Sequence, residues 1–295
     1  MLAVVLALAA ALCNALATIF ERMGVQNAPR EDSMHLSLIA HAVRRRVWLL
    51  GFAAMIAAFA FQVSALSQGG LTVVQPLLAT ELIFLVVILR AWFGRPFGRR
   101  EATGLLLTVA GLATFLAVSD QGGGTALPNT AGWVIVSAAC AGLVVAAVLL
   151  ARTGSRPWRS ACFGTAAAVS FALCAAFMKS STTIAARVGD LHLFEHFEPY
   201  ALAAAGLCGL FLAQNAFHAG PITASQASLV IVDPIVSIVI GVGLFNENVR
   251  DSTGALALDA VALLVMSLGL LVLCHSPLIV GHGADEPLVR APASG

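Results

Sequence analysis

Apolar positions in this chain run together in long blocks, with neither the alternation of half-buried strands nor the narrow stripe of surface helices. Nine blocks can be read, over residues 2–20, 47–66, 72–93, 102–118, 131–151, 160–178, 199–217, 224–245 and 255–274. Each is close to the ~20 residues that carry a helix across ~30 Å of hydrocarbon. The pattern predicts an all-α fold, a polytopic membrane bundle of about nine transmembrane helices filling residues 1–275. Residues 276–295, rich in Pro, Gly and charge, predict a disordered cytoplasmic tail. The first block has no basic segment before it, and Leu12 before Cys13 departs from the small-residue rule of a lipoprotein cleavage site. It therefore reads as a retained helix and not as a signal peptide.

Two stretches look like copies of each other. Residues 65–78 read ALSQGGLTVVQPLL and residues 216–229 read AFHAGPITASQASL, with Ala65/Ala216, Gly69/Gly220, Thr72/Thr223, Gln75/Gln226 and Leu78/Leu229 in register. Each leaves one apolar block, turns at glycine and enters the next. The match relates spans two, three and four to spans seven, eight and nine, and an odd offset makes the copies inverted. The repeat halves are about 1–120 and 131–275. Inverted halves allow two mirror-related packings that expose a midplane site to either side in turn. The alternative is that duplication only built a stable bundle.

Composition adds that 59% of residues are hydrophobic and 11% charged, too little polar surface for a soluble globule of this length. The net charge of +1 gives no pull towards nucleic acid, so the expected partners are the lipid bilayer, a small-molecule or ion substrate, and a second copy in a homodimer. Arginines gather in the first connection (Arg22, Arg30, Arg44, Arg45, Arg46), the third (Arg95, Arg99, Arg100) and the fifth (Arg152, Arg156, Arg159). Those connections are expected to be cytoplasmic, which sets the N-terminus outside and the C-terminus inside a bacterial-type cytoplasmic (inner) membrane. Residues 34–43 are too short to span and suit a surface or half-helix. The six cysteines sit in apolar blocks without metal-ligand spacing and read as packing residues.

Polar groups inside the blocks are the candidate chemistry, since an ionisable group at mid-membrane costs about 2.5 to 3.5 kcal/mol on insertion scales. Gln226, Asp233 and Ser237 share one helical face of span eight, and Pro234 biases Asp233 away from helical geometry. Asn14, Thr18 and Glu21 share a face of span one, where Glu21 either serves the pathway or meets an arginine at the interface. Glu81 lies mid-span after Pro76, while Gln75 is displaced from it by about 240 degrees on an ideal helix. Both face one pore only if Pro76 kinks span three. Lys179, the chain's only lysine, closes span six and either snorkels to the interface or neutralises Glu81 or Asp233. Each carboxylate has a bland reading as well, a structural pair within the bundle. Gln62, Gln214, Asn215 and His218 read as helix-joining groups, and Gly104, Gly111, Gly206 and Gly209 as close-packing positions.

Two local motifs lead elsewhere. Residues 192–196, HLFEH, fit one zinc-peptidase pattern, but a short connection offers no third ligand or cleft, so a solvated loop or a vestibule with Asp190 and Glu198 is the simpler reading. Gly122, Gly123 and Gly124 have no Lys-Ser/Thr after them to make a phosphate cradle. No catalytic set, cofactor site or metal site is expected.

The two halves each end in a loop of mixed charge, residues 93–101 (FGRPFGRRE) and 245–250 (FNENVR). With the repeat, this resembles the drug/metabolite transporter superfamily, EamA-like branch, over nearly the whole membrane region. The resemblance implies a secondary active transporter that moves a metabolite, amino acid or drug by alternating access. A finer likeness is to the NIPA-type magnesium transporters, through Trp48 and Gly51, then Val74, Pro76 and Leu77, then Gly111 and Lys179. It implies magnesium or another divalent cation as the alternative cargo. The chain departs from both: EamA-like proteins commonly have ten spans, and residues 59–62 (FAFQ) stand where the NIPA-type branch has a glutamate motif.

Overall fold

The computed structural model describes residues 1–25, 46–93, 98–118, 127–189, 192–247 and 253–276. Among them every regular element is a helix: α1 (Leu2–Val25), α2 (Arg46–Gln68), α3 (Leu71–Leu78), α4 (Glu81–Phe93), α5 (Arg99–Val118), α6 (Thr130–Leu150), α7 (Arg156–Val188), α8 (Glu198–Ala219), α9 (Ile222–Phe245) and α10 (Thr253–Cys274). A 3₁₀ turn, His192–Glu195, precedes α8. Counting α3 and α4 as one broken span, the described residues hold nine helices long and apolar enough to cross a membrane. The expectations for residues 34–43, 122–124, Asp190 and 277–295 fall outside the described residues, as does the side chain of Glu21.

The bundle is arranged for an apolar solvent. Val134, Ile135, Leu207, Phe211, Val239 and Leu264 are exposed, while Gln75, Lys179, Ser237 and Glu247 are buried. In water this distribution would leave large apolar faces uncovered; against lipid tails it costs nothing.

Helix α1 pairs most extensively with α2, α7 with α8 and with α9, and α5 with α10. The α5–α10 seam is made by absent side chains: a Cβ on Gly111 would strike the Met266 backbone, and one on Gly269 would strike the Thr108 backbone. Gly104 and Gly209 are also close-packed, whereas Gly206 meets only the Cys174 sulfur at 3.4 Å, an ordinary contact.

Three expectations are corrected. Helix α7 does not end at Met178 but continues to Val188, so Lys179 lies inside it. At ~1.5 Å per residue this helix of 33 residues outruns the hydrocarbon, and so its polar last turns escaped a search for apolar length. Helix α9 passes unbroken through Pro234, so Asp233 is helical. The missing proline N–H leaves the Val230 carbonyl without its helical donor, and both Val230 and Pro234 line a cavity. Ser276 is not tail: it is buried and its hydroxyl donates to Glu101 at the start of α5.

Candidate functional site

The span of α3 and α4 breaks where its hydrogen bonds run out. Pro76 cannot donate, the Ala79 N–H reaches the Gln75 carbonyl at 3.4 Å, and the Thr80 hydroxyl takes the Leu77 carbonyl at 2.6 Å. The chain then restarts as α4 with Glu81 in its first turn, where the helix dipole favours a carboxylate. The condition set by the sequence is met: the break turns Gln75 and Glu81 towards one cavity of about 270 Å³.

Four helices besides α3 and α4 contribute walls to that cavity. Asn14 comes from α1, Phe59 and Gln62 from α2, Phe171 and Cys174 from α7, and Asp233 from α9. The Asn14 side chain hydrogen-bonds Glu81. Asp233 is close enough to Glu81 for their charges to interact. Ser237, fully buried, donates to Asp233 at 3.5 Å, a long bond. Gln75 is 2% exposed, and its Nε2 has no hydrogen-bond partner. A buried amide without a partner is costly, so it marks a place where a bound group would be welcome. On the other side of Glu81, a chamber of about 30 Å³ is lined by Thr18, Gln226 and Cys274. That is room for about one water.

The polar stripes therefore face inwards and meet: Asn14, Gln75, Glu81 and Asp233 at the cavity, Gln226 in the adjoining chamber, Ser237 behind Asp233. Gln62 belongs with them, and Asn215 does not, since its amide bonds the Phe211 carbonyl of its own helix at 2.7 Å.

Lys179 is the exception. It neither snorkels nor reaches Glu81 or Asp233; its ammonium pairs with Glu247, just past the end of α9, and lies 4.8 Å from the centre of the Phe245 ring. In the sequence Glu247 stands out only as part of a loop of mixed charge. It takes its position from Asn246, whose left-handed backbone (φ 49) turns the chain back so that the Glu247 N–H reaches the Gly241 carbonyl at 3.1 Å. Its carboxylate then accepts the N–H groups of Leu71 and Thr72, each at 2.8 Å. The Val73 N–H goes to the Gly70 carbonyl at 3.2 Å, and the Val74 N–H makes the first regular helical bond to the same carbonyl at 3.0 Å, so the three N–H groups that open α3 are all satisfied. A Cβ on Gly70 or Gly241 would sit 2.6 or 2.7 Å from Glu247 Oε2, so both glycines leave room for the carboxylate. The clue in the sequence was the lone lysine, which needs an anion once it is buried.

The remaining candidates are dispersed. His192 Nδ1 lies 2.9 Å from Glu195 Oε1 on an exposed turn, and no group of three or more His, Cys, Asp or Glu among the described residues is placed to hold a metal ion. All six cysteines are free.

Fold and cavity together define a polytopic helical membrane protein with a polar cavity inside the bundle. No family model matches the sequence. A protein of Corynebacterium glutamicum described as uncharacterized is 25% identical over 276 residues, 94% of this chain and 96% of that relative. No solved structure matches.

Proposed function

We propose that this chain is a secondary active transporter, of the kind its sequence resembles, that moves a small solute such as a metabolite, amino acid or drug by alternating access. The observation that carries the reading is the meeting of Glu81 and Asp233, one from each half, across a cavity that also holds Asn14, Gln62 and Gln75. Ionisable groups are retained at membrane depth where a pathway needs them. Two carboxylates in one low-dielectric space, with the only lysine engaged elsewhere, favour a proton or a positively charged group between them.

The repeat supports inverted halves. Gly69 packs on Ala3 in the first turn of α1, and Gly220 packs on Arg156 in the first turn of α7. The two copies thus meet counterpart helices, spans one and six, at the same relative place.

The charge of the cavity also favours a second reading, a divalent-cation transporter, because hard Mg²⁺ keeps several waters and needs only one or two carboxylates. One experiment separates the two. Liposomes bearing the native chain, Asp233→Asn or Glu81→Gln are assayed for Mg²⁺ uptake and for exchange of a panel of radiolabelled amines, amino acids and drugs. Solute exchange that is lost in both variants supports the first reading, and Mg²⁺ uptake lost in both supports the second. Full activity in Asp233→Asn removes that residue from the mechanism.

A further inference from the structure

Helix α3 is a rod of eight residues held at both ends by different means. At its start the Glu247 carboxylate takes its first two N–H groups, and at its finish the chain bends at Ala79 and Thr80. Between them Gln75 faces the cavity, about one turn from Thr72. The group that grips the rod is itself gripped by Lys179, which α7 presents about one turn beyond the cavity-lining Ala175 and next to the cavity-lining Met178. Aromatic rings fill the space beside the pair: Phe245 lies under the ammonium and edge-on to Trp133, and Trp133 stacks on Phe177 at 4.3 Å. Helices α3, α6, α7 and α9 thus meet around the pair beyond this part of the cavity.

Resting on the transporter reading above, we infer that Lys179 and Glu247 are the gate of the cavity at this end. Bonded, they hold the start of α3 against α9 and shut the cavity. Parted, they release a short rod hinged at Ala79 and Thr80, which carries the unpartnered Gln75 amide with it and opens the cavity to that side. The ion pair suits a gate because it is all or none. Removing either partner strands the other charge in the interior, so there is no stable half-bonded arrangement.

The test uses Cys174, which lines the cavity, as the reporter. A variant keeping that cysteine alone, the other five replaced by serine, is reconstituted in liposomes and exposed to a membrane-impermeant maleimide from the side where α2 turns into α3. Glu247→Gln and Lys179→Gln are each expected to raise the labelling rate about tenfold or more, as a shift towards the open state requires. Ser160→Ala, at the other copy of the repeat, should leave it unchanged. If Glu247→Gln fails to fold, Lys179→Gln carries the same test, since it leaves the carboxylate on α3 in place. Lower thermal stability with unchanged labelling would mean a static clamp and overturn the gate. Unchanged labelling in vesicles that still transport overturns the gate alone and leaves the transport reading standing. Raised labelling in the variants, where the native chain itself moves no solute, keeps the opening at this end and removes that reading.

Discussion

Spans three and eight carry the same ingredients and take different shapes. Each has a glutamine at the same place in the repeat, a proline inside the span and a carboxylate beside the cavity: Gln75, Pro76 and Glu81 in one, Gln226, Pro234 and Asp233 in the other. The first is broken into α3 and α4 and mostly buried; the second is one helix, α9, most of it only partly buried or exposed. A proline removes one hydrogen bond in both, so proline alone does not decide the outcome. What differs is the start of the span. The N-terminus of α3 is bound by a buried carboxylate from the far end of α9, whereas α9 begins at Pro221 with no side-chain cap. There Ser160 donates to the Ala216 and Pro221 carbonyls instead, at 2.9 and 3.0 Å. One copy is held by charge and the other by a hydroxyl. Two similar stretches of sequence are thus seen in unlike arrangements.

The largest effect should come from breaking the stronger hold. Glu247→Ala leaves Lys179 buried without its anion and α3 without its cap, a loss of about 3–5 kcal/mol. Ser160→Ala removes a neutral hydroxyl and should cost about 1 kcal/mol. Thermal unfolding of the purified protein in one detergent measures both, and equal costs would erase the asymmetry. Gly70→Ala comes next: its methyl must displace the Glu247 carboxylate, an overpacking cost of about 1–3 kcal/mol that should vanish in a Glu247→Ala background. A double-mutant cycle on unfolding checks that coupling. The smallest effects on stability belong to the prolines, yet they sharpen the comparison most. Pro76→Ala lets α3 and α4 join, which turns Gln75 away from Glu81 and should lower transport about tenfold or more, while Pro234→Ala, in a helix already continuous, should change it little.

Much of this was legible along the chain. Nine apolar lengths predict nine spans because hydrocarbon thickness sets helix length, and the stripes through Asn14 and Asp233 predict the faces that meet. The position of Gln75 relative to Glu81 could be read only as a condition on Pro76, since periodicity says where side chains point along a straight helix and nothing about a bend. Glu247 was not legible as a buried group. It lies outside any apolar length, and its partner Lys179 is joined to it only by the packing of α7 on α9. Lys179 itself was misread as a helix end because a charge and the polar residues after it lower the apparent apolar length, although the helix continues.

The α5–α10 seam has its own consequence for how this part of the bundle tolerates change. Where the Gly111 and Gly269 positions bring backbone against backbone, no room remains even for a methyl group. Even a modest side chain at either glycine would therefore have to push the two helices apart, an overpacking cost felt along the whole seam.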